Sequence, residues 1–154
     1  MGQVAAKPRK GCLVQIYIPL TVSDLTALEP PKEGVVEVSV LEGEEGYEEA
    51  SAAARDDAGL ASLERARDED QVPVRLVAAA FVQDPAAPPA TWRRIDSLYV
   101  DDAAGRRLSE KAVVAETQEE ADEAVGRLLD EPLMWADVSE RARLHDFLCG
   151  EGDW

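Results

Sequence analysis

The sequence Val72-Pro-Val-Arg-Leu-Val-Ala-Ala-Ala-Phe-Val82 is the stretch of this 154-residue chain that decides its fold. From Val74 onward it is an almost continuous apolar run, which is typical of a strand buried on both faces of a sheet. The proline-rich segment 84–90 follows it and excludes regular structure. The next apolar stretch, residues 92–100, therefore predicts a strand that returns antiparallel to the first.

The chain before this stretch predicts two further strands and two helices. Residues 12–19 alternate as a strand does, and Thr21 with Asp24 forms a capping box for a short helix that extends through Leu28. Residues 35–41 alternate again and predict a half-exposed strand. Small apolar residues at helical spacing over 47–67 predict a long helix, in which Gly59 favours a kink or break.

The chain after it predicts helices around one short strand. Residues 101–116 favour a helix, although 112–115 alone would also suit a short strand. Thr117 and Glu120 form a second capping box, and the helix it begins ends at Asp130. Residues 133–136 predict a short strand with Trp135 in the core, and a last helix then ends at Gly150.

This order of elements predicts an α+β fold. Strand, long helix, strand, strand, helix and strand is the split βαβ order of ferredoxin-like sheets, here with an extra strand and a C-terminal helix. Other α+β layers built on one antiparallel sheet stay open. We expect residues 1–11 to be a mobile leader, 12–149 a single domain and 150–154 a tail.

The charge balance restricts the class of partner. Thirty-two acidic residues against sixteen basic ones give a net charge of −16, which disfavours direct binding to nucleic acid or to an anionic membrane. The acidity serves solubility, or it forms a surface that docks onto a basic protein, in one version by imitating DNA phosphates. The candidate interaction residues flank or begin the long helix or end the chain: Glu44, Glu45, Glu48, Glu49 and Trp154. A loosely packed tail is the favoured explanation of Trp154, and a docking anchor is the alternative.

The two cysteines favour a cytoplasmic location. Cys12 and Cys149 lie far apart and form no metal-binding motif, so we expect free, partly buried thiols in a reducing compartment, with a disulfide between them as the alternative. No apolar run approaches the roughly 18 residues that a membrane-spanning helix needs.

Residues that could carry chemistry are few. His145 is the only histidine and lies one helical turn before Cys149, which predicts a contact at the end of a helix rather than a catalytic pair. The acidic pairs and runs, including Asp101-Asp102, lack the spacing of a calcium loop and are interpreted as solvated surface. Pairing Asp96 with Asp101 for acid–base work carries little information among so many acids. We therefore expect no metal and no cofactor.

Three stretches resemble a family of uncharacterised actinobacterial proteins. They are Val14-Gln-Ile-Tyr-Ile-Pro-Leu-Thr-Val-Ser-Asp-Leu25, Glu45-Gly-Tyr-Glu-Glu-Ala-Ser-Ala-Ala-Ala54 and Leu133-Met-Trp-Ala-Asp-Val138. The chain departs from that family's pattern at Ala136, where an aromatic residue is expected, and in its basic leader. Because these motifs are structural, the resemblance implies a common origin and fold, not an activity.

Two functional hypotheses follow. The scarcity of histidine, cysteine and cationic side chains favours a non-enzymatic protein-interaction or regulatory module with a basic protein partner. The alternative is a small-molecule-binding domain or a small enzyme, with a pocket between the sheet and its helices.

Overall fold

The computed structural model describes residues 13–152 and contains five strands and four α-helices within them. The strands are β1 (Val14–Pro19), β2 (Val36–Glu37), β3 (Leu76–Val82), β4 (Ser97–Val100) and β5 (Met134–Ala136). The helices are α1 (Tyr47–Asp68), α2 (Ala103–Val114), α3 (Gln118–Leu128) and α4 (Arg141–Leu148). The predicted leader, Cys12 and Trp154 lie outside the described residues.

The strands form one antiparallel sheet in the order β2-β1-β3-β4-β5. The predicted α+β class, with helices packed on an antiparallel sheet, is confirmed. The strand order is not that of a split βαβ unit, because β1 and β3 are direct antiparallel neighbours with no strand between them, and β5 pairs with β4 rather than with β1. The extra strand explains the antiparallel direction of β3: β2 reverses the chain before α1 reverses it again, so β3 enters the sheet opposite to β1.

The sheet is covered on both faces, and the two coverings differ. One face is apolar and packs against α4 and the 3-10 turn Val22–Thr26. Its buried strand residues include Ile16, Ile18, Leu76, Ala78, Ala80 and Leu98. The other face packs against α1 and carries Tyr17, Val77, Ala79 and Tyr99. As predicted, β3 is buried on both faces, since each residue from Leu76 to Ala80 is at most 2% exposed.

Small side chains let α1 approach the sheet closely. Its buried positions include Ala54, Ala58 and Ser62. The Ser62 hydroxyl donates to the carbonyl oxygen of Leu20 at 2.6 Å and accepts from the amide of Leu76 at 2.9 Å. A serine of α1 thus supplies hydrogen bonds to two backbone groups where the pairing of β1 with β3 ends, and these bonds connect the helix to the sheet.

The predicted break at Gly59 is wrong, because α1 continues through it. A Cβ atom at this position would lie 3.3 Å from Cδ of Arg75, so glycine makes room for a large side chain beneath the helix. Arg75 is 0% exposed and pairs with Asp101, which is also buried.

Asp101 is the counter-charge of this buried arginine and also accepts hydrogen bonds from the chain around it. Its carboxylate accepts from the Arg75 amide at 2.8 Å, from Arg75 Nε at 2.8 Å and from the Ser109 hydroxyl at 2.7 Å. Arg75 Nη2 also donates to the carbonyl oxygen of Glu131 at 2.9 Å. The surface position expected for Asp101 is therefore wrong, since a buried guanidinium requires a buried counter-charge.

The helix ends follow the sequence closely. The capping box of Thr21 and Asp24 is present, although the segment it begins is a short 3-10 turn. Thr117 accepts from the Glu120 amide at 3.1 Å and caps α3. The ambiguous segment 101–116 is confirmed as a helix, while the strand predicted over 35–41 pairs only at Val36–Glu37.

The α2–α3 hairpin packs against the second half of α1. The contact is a small apolar cluster built on Leu63, Leu108 and Leu128. Within residues 13–152, no helix is both long enough and apolar enough to cross a bilayer.

Candidate functional site

A polar groove lies between the sheet and the first half of α1. It begins at a row of paired residues across β1, β3 and β4, namely Tyr17, Ala79 and Ser97. Two of these three side chains are short, whereas large side chains such as Phe81 and Tyr99 flank the row along β3 and β4. The short side chains leave a hollow of about 360 Å³, which α1 borders on one side.

A directed chain of hydrogen bonds forms the wall between β1 and α1. Ser51 donates to the side-chain oxygen of Gln15 at 2.9 Å, so its own oxygen accepts from the Tyr17 hydroxyl at 2.6 Å. Tyr17 in turn accepts from Arg55 at 3.5 Å, and Tyr47 donates to the same Gln15 oxygen. This network fixes the orientation of five side chains at the groove.

Arg55 is the cationic group of the groove. Its guanidinium lies 4.9 Å from the ring centre of Tyr99 and 5.9 Å from that of Tyr17, within the range of cation–π attraction. Among residues 13–152, no carboxylate lies within 4.0 Å of it. In a chain with twice as many acids as bases, this arginine contacts aromatic rings instead of a carboxylate, which leaves most of its guanidinium donors without an acceptor in the described chain.

Other polar groups in the groove also have unused hydrogen-bonding capacity. Within the described chain, no hydrogen bond engages the side-chain nitrogen of Gln15, the hydroxyl of Ser97 or the hydroxyl of Tyr99. These groups line the same hollow as Arg55. A polar ligand would therefore meet several donors that the fold has already positioned.

Carboxylates occupy the rim of the groove. Glu42 and Glu48 are exposed, and Asp96 stands before the start of β4. Partial burial raises the pKa of the Asp96 carboxyl, although the hydrogen bond that it accepts from the Phe81 amide opposes the shift. Burial also raises the pKa of the Tyr47 hydroxyl, so this phenol stays neutral and can donate at neutral pH.

The four predicted interaction glutamates surround the start of α1. Glu44, Glu45, Glu48 and Glu49 are all exposed, and Glu44 accepts from the Leu41 amide at 3.1 Å. No basic group in the described part of the chain lies within 4.0 Å of their carboxylates. Only Glu48 lines the groove. The fifth predicted residue, Trp154, lies outside the described residues.

The predicted contact at the end of α4 is present. Cys149 Sγ lies 3.8 Å from His145 Nε2, and His145 Nδ1 lies 3.3 Å from the Asp146 carboxylate. Cys149 is exposed, so this string of side chains lies on the surface.

The acid–base pair of Asp96 and Asp101 is not formed, because the two residues lie at opposite ends of β4. In the range 13–152, no three His, Cys, Asp or Glu side chains are grouped so as to hold a metal ion.

Trp135 is 60% exposed, so its predicted place in the core is wrong. It pairs with Tyr99 on the α1 face of the sheet, but β5 is an edge strand and α1 packs over β1, β2 and β3.

A pocket between the sheet and its helices was predicted only as part of the alternative function, and none of the residues that form its core was predicted. Its main residues are Gln15, Tyr17, Ser51, Arg55 and Ser97. One signal was available: Gln15 and Tyr17 alternate with apolar residues in β1, which shows that one face of this strand is less apolar than the other.

No protein-family model, curated protein or solved structure matches the chain. The actinobacterial resemblance therefore stays a prediction from sequence.

Proposed function

We propose that this chain is a binding module for a small polar molecule and that the groove beside α1 is its binding site. The observation that carries the proposal is the Arg55 guanidinium, which the rings of Tyr17 and Tyr99 hold at the hollow without a carboxylate partner in the described chain. The groove volume of about 360 Å³ falls within the range of small-molecule sites.

A thermal-shift screen against a library of polar metabolites tests this proposal. A ligand present at one hundred times its Kd stabilises the folded state by about 2.7 kcal/mol. For a chain of this size that stabilisation corresponds to a rise in Tm of roughly 5–10 °C. We expect at least one compound to produce such a rise with the wild-type protein.

Two variants test whether the ligand binds in the groove. Arg55→Met keeps the aliphatic stem and removes the donors, so it should abolish the ligand-induced rise in Tm. Arg107→Met removes one positive charge from the exposed side of α2 and should retain the rise in full. A library without any stabilising compound, or a ligand that stabilises both variants equally, would refute the proposed site.

A second candidate function is interaction with a basic protein through the acidic start of α1. It is favoured by the four exposed glutamates at 44, 45, 48 and 49, which have no basic group within 4.0 Å in residues 13–152. We infer a cytoplasmic location for either function, since an exposed free thiol at Cys149 suits a reducing compartment.

Affinity capture from a lysate at low and at high salt tests the second function. The wild-type chain should retain a basic protein at low salt and release it at high salt, because salt screens exposed charges. A variant with glutamine at all four glutamates should retain none. Equal capture by the wild-type chain and the four-glutamine variant would show that the acidic surface does not cause the binding.

A further inference from the structure

We infer that the ligand of the groove is an amino carboxylate, a zwitterion whose carboxylate binds Arg55 and whose ammonium group faces the acidic rim. This inference rests on the proposed function and adds the chemical class of the ligand. It follows from how donors and acceptors are distributed along the groove.

The inner part of the groove is rich in donors. Arg55 presents a guanidinium without a carboxylate partner in the described chain, and the Gln15 amide nitrogen is also unengaged there. The Ser97 hydroxyl adds a further donor. A planar guanidinium with neighbouring donors matches a carboxylate, which accepts two parallel hydrogen bonds.

The outer part of the groove has the opposite character. Glu42, Glu48 and Asp96 contribute three carboxyl groups to its lining, and Arg55 is the only basic side chain in the described lining. Such a rim favours a cation and repels an anion. A ligand that satisfies both parts must therefore carry both charges.

The charge of the whole chain supports the same conclusion. A net charge of −16 raises the cost of bringing a purely anionic molecule to Arg55. A zwitterion has no net charge and avoids that cost. Its ammonium group also gains from the rim that would repel a simple carboxylate.

A second, neighbouring hollow offers space for the rest of the molecule. It has a volume of about 320 Å³ and is lined by Leu13, Phe81, Glu42 and Asp96, the last three of which it shares with the groove. The two apolar side chains can receive the hydrocarbon part of an amino carboxylate.

Calorimetric titration with defined probes tests the inference. The probes are the twenty free α-amino acids, β-alanine and 4-aminobutyrate. The tightest of these is compared with its amine lacking the carboxylate and its acid lacking the ammonium group; for phenylalanine these are phenethylamine and 3-phenylpropionate. We expect the zwitterion to bind about ten- to hundredfold more tightly than either analogue, since each loses a charge-assisted contact.

Three variants assign the two contacts. Arg55→Met should remove the preference for the zwitterion over the amine. A variant with Gln at Glu42, Gln at Glu48 and Asn at Asp96 should no longer bind the zwitterion more tightly than the acid that lacks the ammonium group. The control carries Gln at Glu44, Glu45 and Glu49, which changes the net charge by the same amount away from the groove lining and should keep both preferences.

The outcomes separate this inference from the proposed function. If the metabolite screen finds an Arg55-dependent ligand but no amino carboxylate binds, the inference fails and the binding function stands. An amine that binds as tightly as its zwitterion also overturns the inference. The absence of any ligand in both experiments overturns the inference and the binding function together.

Discussion

The buried pair of Arg75 and Asp101 makes a sharp prediction about stability. Asp101→Asn keeps the shape of the side chain and removes its charge, which leaves the Arg75 guanidinium buried without a counter-charge. Both side chains are 0% exposed, so water cannot replace the lost partner. Asp101 also accepts from the Ser109 hydroxyl and from the Arg75 backbone amide, and one asparagine oxygen must replace both carboxylate oxygens.

The expected loss is about 3–5 kcal/mol, the usual cost of removing one partner of a buried ion pair. For a domain of this size each kcal/mol lowers Tm by roughly 2–4 °C, so Tm should fall by roughly 6–20 °C. The net contribution of the intact ion pair to the free energy of unfolding is much smaller than the loss expected for Asp101→Asn. Both charges are desolvated, and Arg75 Nη1 is buried without a hydrogen-bond partner in the described chain.

Urea unfolding followed by circular dichroism measures the loss, and the adjacent residue provides the control. Asp102 caps α2 by accepting from the Gly105 amide at 2.8 Å. Asparagine caps a helix about as well as aspartate, so Asp102→Asn should change the free energy of unfolding by only about 0.5 kcal/mol. Equal losses in the two variants would refute the importance of the buried charge.

A double-mutant cycle with Arg75→Met adds an independent check. Removing both charges leaves no unpaired ion, so the double variant should be more stable than the sum of the single losses predicts, by about 0.5–3 kcal/mol. Strict additivity would show that the two charges do not interact in the folded protein.

Three further predictions concern single side chains. Gly126→Ala in α3 meets nothing within 4 Å and should raise stability by about 0.5–1 kcal/mol in thermal unfolding. Gly59→Ala should lack that gain, because the new methyl group would lie 3.3 Å from the buried Arg75 side chain, and an equal gain in the two variants would contradict this contact. Trp135 is 60% exposed, so Trp135→Ser should lower the free energy of unfolding in urea by less than about 1 kcal/mol. Trp92 is only 7% exposed, so Trp92→Ala should lower it by roughly 3–5 kcal/mol. Because the pKa of Asp96 is raised, the folded state binds the carboxyl proton more tightly than the unfolded state does. The stabilisation from this proton is fully present below the ordinary pKa of Asp and is lost as the pH rises through the raised pKa of the folded state. Asp96→Asn should therefore gain stability relative to the wild type across that mildly acidic interval, and a difference that is constant with pH in urea unfolding would contradict the shift.

Local pattern was enough to predict the strongest elements of the fold. The apolar run of β3 and the small residues of α1 are set by their own sequences, and both elements form where they were expected. The caps at Thr21 and Thr117 are equally local, since each involves residues three positions apart.

Strand order and burial could not be read in the same way. The direction of β3 depends on the two-residue strand β2, whose pairing is a tertiary event with little pattern of its own. Likewise, Asp101 looks like any surface acid until Arg75, twenty-six positions away, is known to be buried beside it. In both cases the deciding interaction joins distant parts of the chain.

The residues of the groove escaped prediction for a related reason, although a pocket between the sheet and its helices was one of the two hypotheses. Each of its residues is ordinary alone: a tyrosine in a strand, a serine and an arginine in an alanine-rich helix. What makes them a site is the register that places Tyr17, Ala79 and Ser97 in one row across three strands. Register is fixed by the whole sheet and cannot be recovered from any one strand.

The contrast between the two faces of the sheet bears on why the groove exists. On the α4 face, β1 presents Ile16 and Ile18 to an apolar core, which shows that this sequence can fill a face completely. On the α1 face, β1 presents Gln15 and Tyr17, which are buried and need hydrogen bonds that apolar residues would not. A polar network that is fully bonded within itself would be explained by the specificity of packing alone. This network instead ends at an arginine without a carboxylate within the described chain, beside an open hollow, and the binding function proposed above would use that remaining capacity.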